Sequence, residues 1–417
     1  MKNRTKIPGV DSAGASKAVE NSKIWTKEYI LMMAANFFIA VNFYAHLSTG
    51  AIIAIEGLGE TESRGGFAAG IFVVGSLIAR VVVSRYVSQK YFRRAIFIGM
   101  FASLVFSALL YNANNFALFC VLRFVCGMTF GVNNNLIYSA VTLIIPVNKR
   151  GEGLGWFSLS QILGIAIGPF LGVSVFHQYG PGSVSIIATL AVAAALVLYG
   201  FVGKTQKSIA KEPGQQKEPE GTAHTPGPKE RGVWQFFEFT AIRIAILCFI
   251  IYVSNSNFMA FAAAAVTEAG AANLSSVVFL AYAAGMLALR PFVGKIYDKK
   301  GPNQILAFAF ISLSAGLFLV GLGHVPLILP AAVLVGFGLT SQQGATLPIV
   351  VTNAPSHRIA VANATYFLSF DLGAAIGPII GGRIVEHAGF TTMFTVCAII
   401  AIACLPLYFG VLAKRRP

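Results

Sequence analysis

The chain has 417 residues, of which 56% are hydrophobic and only 11% charged. A soluble domain carries about a quarter charged residues, so an ordinary globular enzyme is excluded. The apolar content suffices for about twelve membrane spans of about 20 residues each. Yet 31 Lys and Arg against 16 Asp and Glu leave a net charge of +15, which fits either nucleic-acid binding or the charge asymmetry of a membrane protein.

Residues 1–28 are polar and rich in Lys and Arg, and no small-residue cleavage site follows a short apolar core. They read as a cytoplasmic tail ahead of a first span, not as a signal peptide. Apolar stretches then recur near 29–54, 66–86, 94–112, 116–144, 153–176 and 183–203, and again near 238–266, 274–294, 303–323, 326–350, 359–384 and 389–412. Each is long enough to cross a bilayer as a helix, and isolated Gly and Pro inside such a run do not argue against it. Between the sixth and seventh spans, residues 204–235 hold Pro213, Pro219, Pro226 and Pro228 among Lys, Glu and Gln. This composition reads as a flexible linker. The expected architecture is all-α and integral to the membrane: an N-terminal six-helix bundle over 29–203, a C-terminal one over 236–412, and a short basic tail at 413–417.

Sorting the charges by connection decides between the two readings of the +15. The tail, the even-to-odd connections and the C-terminal Lys414, Arg415 and Arg416 carry nearly all the Lys and Arg. The opposite face keeps Arg64 and Arg383 and gathers Glu56, Glu60, Glu62, Glu268 and Glu386. The positive-inside rule then places both termini in the cytoplasm of a multi-pass cell-membrane protein, and no nucleic-acid partner is expected. The five cysteines all lie in apolar runs without a CxxC pair, so neither a disulfide framework nor a metal site is expected.

The exceptions to the pattern are the candidates for chemistry. Arg123 lies inside the fourth span, where an unpaired guanidinium costs several kcal/mol and is expected to face the bundle interior. Asp371 is the acid placed deep in a span, one turn after Tyr366 and Phe367. Hydrocarbon penalises its charged form, which makes it a candidate proton carrier or a counter-ion for a cation. Amides and other polar groups gather at mid-span depth: Asn36, Asn42 and His46 in the first span, Asn134 and Tyr138 in the fourth, Asn257 in the seventh, Gln342 in the tenth and Tyr366 in the eleventh. Such groups need partners, and water or substrate in a cavity supplies them, as does another helix.

The two halves repeat one another. Gly164-x3-Gly168-Pro169-x2-Gly172 in the fifth span returns as Gly373-x3-Gly377-Pro378-x2-Gly381 in the eleventh, an offset of 209 residues. The same offset carries Gly127 onto Gly336, and 210 carries Gly75 and Arg80 onto Gly285 and Arg290. Duplicated bundles of this kind are the building plan of secondary transporters, with the site between the halves.

With these features the chain resembles the major facilitator superfamily over both six-span halves. The fifth-span Gly164, Gly168, Pro169 and Gly172 are similar to the signature of the proton-coupled drug exporters. Arg123 resembles the buried Arg of that family's fourth helix, with Cys126 where Gln is common. Gly294, Asp298 and Gly301, with Lys299 and Lys300, resemble the superfamily's loop signature; the first-half counterpart has Ser84 and Ser88 in place of Gly and Asp. The resemblance implies the major facilitator fold and proton-coupled export of a small organic molecule by alternating access, with Asp371 and Arg123 in proton coupling. The substrate would be a drug-like compound or an endogenous metabolite such as a metallophore. A proton symporter for a sugar or organic acid is one alternative, and a non-transporting membrane sensor is another. No phosphate-binding glycine loop or catalytic constellation occurs, so neither ATP-driven transport nor an enzyme is expected, and no cofactor. The partners expected are the substrate, protons and lipid, with the protein acting as a monomer.

Overall fold

The computed structural model describes residues 24–87, 89–146, 150–202, 237–355 and 359–412. The N-terminal half forms α1 (Lys27–Ile52), α2 (Glu62–Tyr86), α3 (Phe92–Leu109), α4 (Phe116–Ile144), α5 (Arg150–Tyr179) and α6 (Pro181–Gly200). The C-terminal half forms α7 (Phe239–Glu268), α8 (Val277–Lys300), α9 (Pro302–Gly321), α10 (Val325–Asn353), α11 (359–388) and α12 (390–407). Each expected span has its helix. The linker at 204–235 and the tail at 413–417 lie outside the described residues, as does most of the N-terminal tail.

Local chemistry sets where these helices start. The Thr26, Thr61 and Asn115 side chains accept hydrogen bonds from the N–H groups of Tyr29, Arg64 and Leu118, capping α1, α2 and α4. Pro181 and Pro302 open α6 and α9, where a missing N–H costs nothing. The turn into α6 passes through Gly180, with φ at 80°. The matching turn between α11 and α12 passes through Gly389, φ 78°, where the helical backbone is interrupted. A side chain at either glycine would be strained in this left-handed conformation. α8 continues to Lys300, beyond the apolar stretch that ends near 294, because its last turns carry polar Lys299 and Lys300 rather than hydrocarbon-facing residues.

Packing repeats with the sequence. A Cβ on Gly127 of α4 would meet the Phe72 carbonyl of α2, and one on Gly75 of α2 would meet the Phe124 carbonyl of α4. In the second half Gly336 meets Tyr282 and Gly285 meets Val333 in the same way. α2/α4 and α8/α10 thus cross backbone to backbone, which only glycine allows. Gly164, Gly168 and Gly172 of α5 lie against Ala40, Val41 and Ala45 of α1, while Gly373 and Gly377 of α11 lie against Phe249 and Val253 of α7. The fifth-span motif is therefore a packing seam inside its own half.

Alternating helices give the molecule a basic end, with Arg93, Arg94, Lys299 and Lys300, and an acidic end, with Glu56, Glu60, Glu62, Glu268 and Glu386. Near the acidic end the halves meet along α2 and α11. A Cβ at Gly66 would strike the Pro378 carbonyl, one at Gly70 the Ala375 carbonyl, and one at Gly382 the Glu62 carbonyl. Main chain touches main chain there, holding α2 and α11 in direct contact.

Candidate functional site

Further toward the basic end the same two helices carry charge. Arg80 of α2 and Asp371 of α11 form an ion pair, Nη1 to Oδ2 at 2.8 Å, with side chains 27% and 17% exposed. The pair joins the two halves, and its residual exposure marks accessible space between them. Arg80 stands six residues before the C-terminal end of α2, on the face turned toward α11.

Around this pair stand side chains that are likewise neither buried nor fully exposed: Tyr44 (α1), Tyr138 (α4), Ser158 and Gln161 (α5), Tyr252 (α7), Arg290 (α8) and Gln343 (α10). Tyr44 lies within electrostatic range of both Arg80 and Asp371, and Gln161 donates to its hydroxyl at 3.5 Å. In the second half Gln343 donates to the hydroxyl of Tyr252, whose ring stacks on Phe370 with centroids 4.1 Å apart. Tyr138 stands edge-on to Phe157 at 4.9 Å. On the far side of the interface Arg290 Nη2 donates to Ser158 Oγ at 3.3 Å, joining α8 to α5. The result is a belt of tyrosines, amides and three charges between the bundles.

The amides singled out from sequence sit next to this belt and tie helices together within each half. Asn36 donates to Ser160 at 2.8 Å and to Gln161 at 3.4 Å. Asn42 donates to Ser107 of α3 and the Ala188 carbonyl of α6, each at 3.1 Å. Asn134 reaches Gln161 at 3.3 Å. In the other half Asn257 donates to the Val253 carbonyl and to Cys397 Sγ of α12, and Gln342 to Cys248 Sγ and Thr346. Tyr366 shares a 2.8 Å hydrogen bond with Thr346, linking α11 to α10. All but Asn134 are less than 4% exposed.

Arg123 is fully buried. Its Nε donates to the Ala68 carbonyl at 2.7 Å and its Nη1 to the His46 carbonyl at 2.9 Å. The rings of Phe72 and Phe119 lie 4.9 and 5.4 Å from the guanidinium carbon. Carbonyl dipoles and aromatic faces supply its counter-charge, and no carboxylate lies within 4.0 Å among the described residues. His46 itself is buried beside Phe72, with ring centroids 6.0 Å apart. Of the loop signature, Gly301 ends α8 with φ at 71° and Gly294 faces open space, while the Asp298 side chain lies outside the described residues.

The sequence reading passed over Tyr44, Gln161, Tyr252 and Ser158, and it recorded Arg80 and Arg290 only as a repeat. That repeat was the available signal: two Arg at equivalent depth in a twofold structure belong on equivalent faces.

Two six-helix bundles, each an internal copy of the other, with a polar belt where they meet, define the two-bundle class of membrane transporters. The chain belongs to the Major Facilitator Superfamily, whose sequence model matches residues 32–248 and 244–417. It is 29% identical over 317 residues to the multidrug resistance protein MdtG of Citrobacter koseri, covering 73% of this chain and 74% of that one. It is 26% identical over 304 residues to MdtG of Yersinia enterocolitica, covering 70% and 69%. Among solved structures, a peptide transporter POT in complex with sulfate matches with a TM-score of 0.73 at 14% identity, over 97% of this chain and 99% of that one. The nucleoside transporter NupG matches with 0.70 at 10%, over 92% and 99%. These two likenesses are of fold. The two sequence relatives are both multidrug resistance proteins by name.

Proposed function

We propose that the protein exports a small organic molecule across the cell membrane in exchange for protons. The observation that carries this reading is the Arg80–Asp371 ion pair, the one acid–base contact between the halves among the described residues. A proton on Asp371 cancels its charge and releases Arg80, loosening α2 from α11 in the middle of the belt. Loss of the proton restores the pair. Coupling of this sort needs a carboxylate that is reachable, paired in one state and neutral in another, and Asp371 meets the first two conditions as it stands. The direction of transport rests on likeness to MdtG and on the α5 signature, which is associational support.

In this reading the basic end faces the cytoplasm with both termini, and the described arrangement is closed at the outer, acidic end. Tyr44, Tyr138, Gln161, Tyr252, Arg290 and Gln343 touch the substrate. Asn36, Asn42, Asn134, Asn257, Gln342 and Tyr366 hold the helices that present them. Arg123 anchors α4 to α1 and α2, and its carbonyl partners support a positioning role for it rather than proton carriage. The transporter works as a monomer.

The decisive test is flux in proteoliposomes. An imposed proton gradient drives substrate uptake into inside-out-oriented vesicles by the wild-type chain. Asp371→Asn is expected to abolish the gradient-dependent component while leaving equilibrium exchange of substrate in place. If gradient-driven flux persists in that variant, Asp371 is not the coupling group.

A further inference from the structure

The belt holds two guanidinium groups and one carboxylate. Arg80 takes the carboxylate. Arg290 is its counterpart in the repeat, 210 residues on, but the acid is not repeated: 209 residues before Asp371 stands Ile162. Arg290 has no carboxylate within 4.0 Å among the described residues. Its one hydrogen bond is the 3.3 Å contact to the Ser158 hydroxyl through Nη2. None of its nitrogens is both buried and unpartnered, so the remaining N–H groups of the fork open onto accessible space. The surroundings are aromatic, for Tyr138, Tyr252 and Tyr366 lie within electrostatic range of the guanidinium, and Phe370 stacks on Tyr252.

Arg290 lies within its span, four residues before Gly294, and without a carboxylate partner it leaves the belt with a net charge of +1, which favours an arriving anion. Arg presents parallel N–H groups that match the two oxygens of a carboxylate, whereas a spherical ion uses only the charge. Ser158 supplies a hydroxyl beside the same oxygens, and the tyrosine and phenylalanine rings offer flat apolar surface next to them.

We propose that Arg290, with Ser158, is the recognition site for the anionic group of the substrate, and that the substrate is an organic acid with an aromatic or other flat apolar body. The inference rests on the cavity reading given above and narrows its substrate class. It also divides labour between the two repeated arginines: Arg80 answers to Asp371, and Arg290 answers to the cargo.

The test is equilibrium binding to the full-length protein in lipid nanodiscs, by calorimetry, with no proton gradient. The probes are 2-naphthoate, its neutral analogue 2-naphthalenemethanol and the cation 2-naphthylmethylammonium. The wild-type chain is expected to bind naphthoate best. Arg290→Gln is expected to weaken naphthoate by roughly tenfold or more and the neutral probe by clearly less, while Arg290→Lys, which keeps charge but not the fork, falls between. A retained cooperative melting transition shows that the variants are folded. Absence of naphthoate binding by the wild type, equal naphthoate binding by Arg290→Gln, or displacement of naphthoate by an equal concentration of chloride would each overturn the proposal. Gradient-driven flux of another compound by the same protein reconstituted in proteoliposomes would then leave the proposed function standing.

Discussion

Two of the inter-half contacts, α2 with α11 and α5 with α8, occupy equivalent places in the repeat yet are built differently. The first is glycine against backbone at the acidic end and an Arg–Asp ion pair deeper in; the second is a guanidinium and a serine hydroxyl. A duplicated fold supplies two arginines by symmetry, and the partner residue has diverged between them. On the two proposals above, one side of the interface responds to protonation and the other is available to a ligand. Symmetry explains the scaffold; the departure from symmetry explains where chemistry is concentrated.

The largest effect is expected from removing the intimacy of the first contact. Gly66→Val drives a side chain into the Pro378 carbonyl, and a main-chain atom cannot move aside by changing rotamer. A clash of this kind costs about 1–3 kcal/mol, enough to shift a two-state equilibrium by roughly tenfold or more. Spin labels at Ser63 and Arg383, near the acidic ends of α2 and α11, are expected to move apart in double electron–electron resonance. An unchanged distance distribution would mean that the seam does not hold the acidic end shut.

A smaller effect is expected from the ion pair. Arg80→Gln and Asp371→Asn each leave one charge without its partner, whereas the double variant leaves none. Each single change should lower the thermal midpoint in detergent, and the double variant should be no less stable than the weaker single one. The coupling should be about 1–2 kcal/mol, the range for residues in direct contact. Strict additivity would reduce the pair to coincidental proximity.

Much of this architecture can be read from the chain alone, for definite reasons. Apolar length marks a span without reference to any neighbour, so all the helices appear in the sequence. The exact breaks are less legible: the stretch near 389–412 includes Gly389, which the structure places at the turn with left-handed backbone. The offset that carries Gly127 onto Gly336 reports a crossing that admits no side chain, and the structure contains that crossing twice. The cavity is harder. Gln342 is buried against Cys248 and Thr346, and Gln343 beside it turns toward Tyr252 in the belt; one residue changes the facing by about 100°, and an all-apolar helix gives no stripe by which to choose. Tyr44 and Tyr252 are lost among many aromatic residues. Arg80 is legible only as one half of a repeat, because depth along a helix can be read from sequence and rotation about it cannot. Asp371 was conspicuous as an acid in hydrocarbon, but its partner became visible only when α2 and α11 were brought together.

The smallest and most discriminating changes fall on Ser158. Ser158→Ala removes the 3.3 Å hydrogen bond to Arg290, whose loss should change stability by about 1 kcal/mol. Ser158→Asp changes volume little but places a carboxylate where the hydroxyl now meets Arg290. It makes the α5–α8 contact a copy in kind of the α2–α11 contact, with each arginine opposite an acid. If the asymmetry between the contacts is what leaves Arg290 available to cargo, Ser158→Asp should lose naphthoate binding as fully as Arg290→Gln does, through charge compensation rather than removal of the cation. Ser158→Ala should keep it within a few-fold. Equal naphthoate affinity in the Ala and Asp variants would show that Arg290 does not act through its charge, and the difference between the two inter-half contacts would then carry no functional meaning.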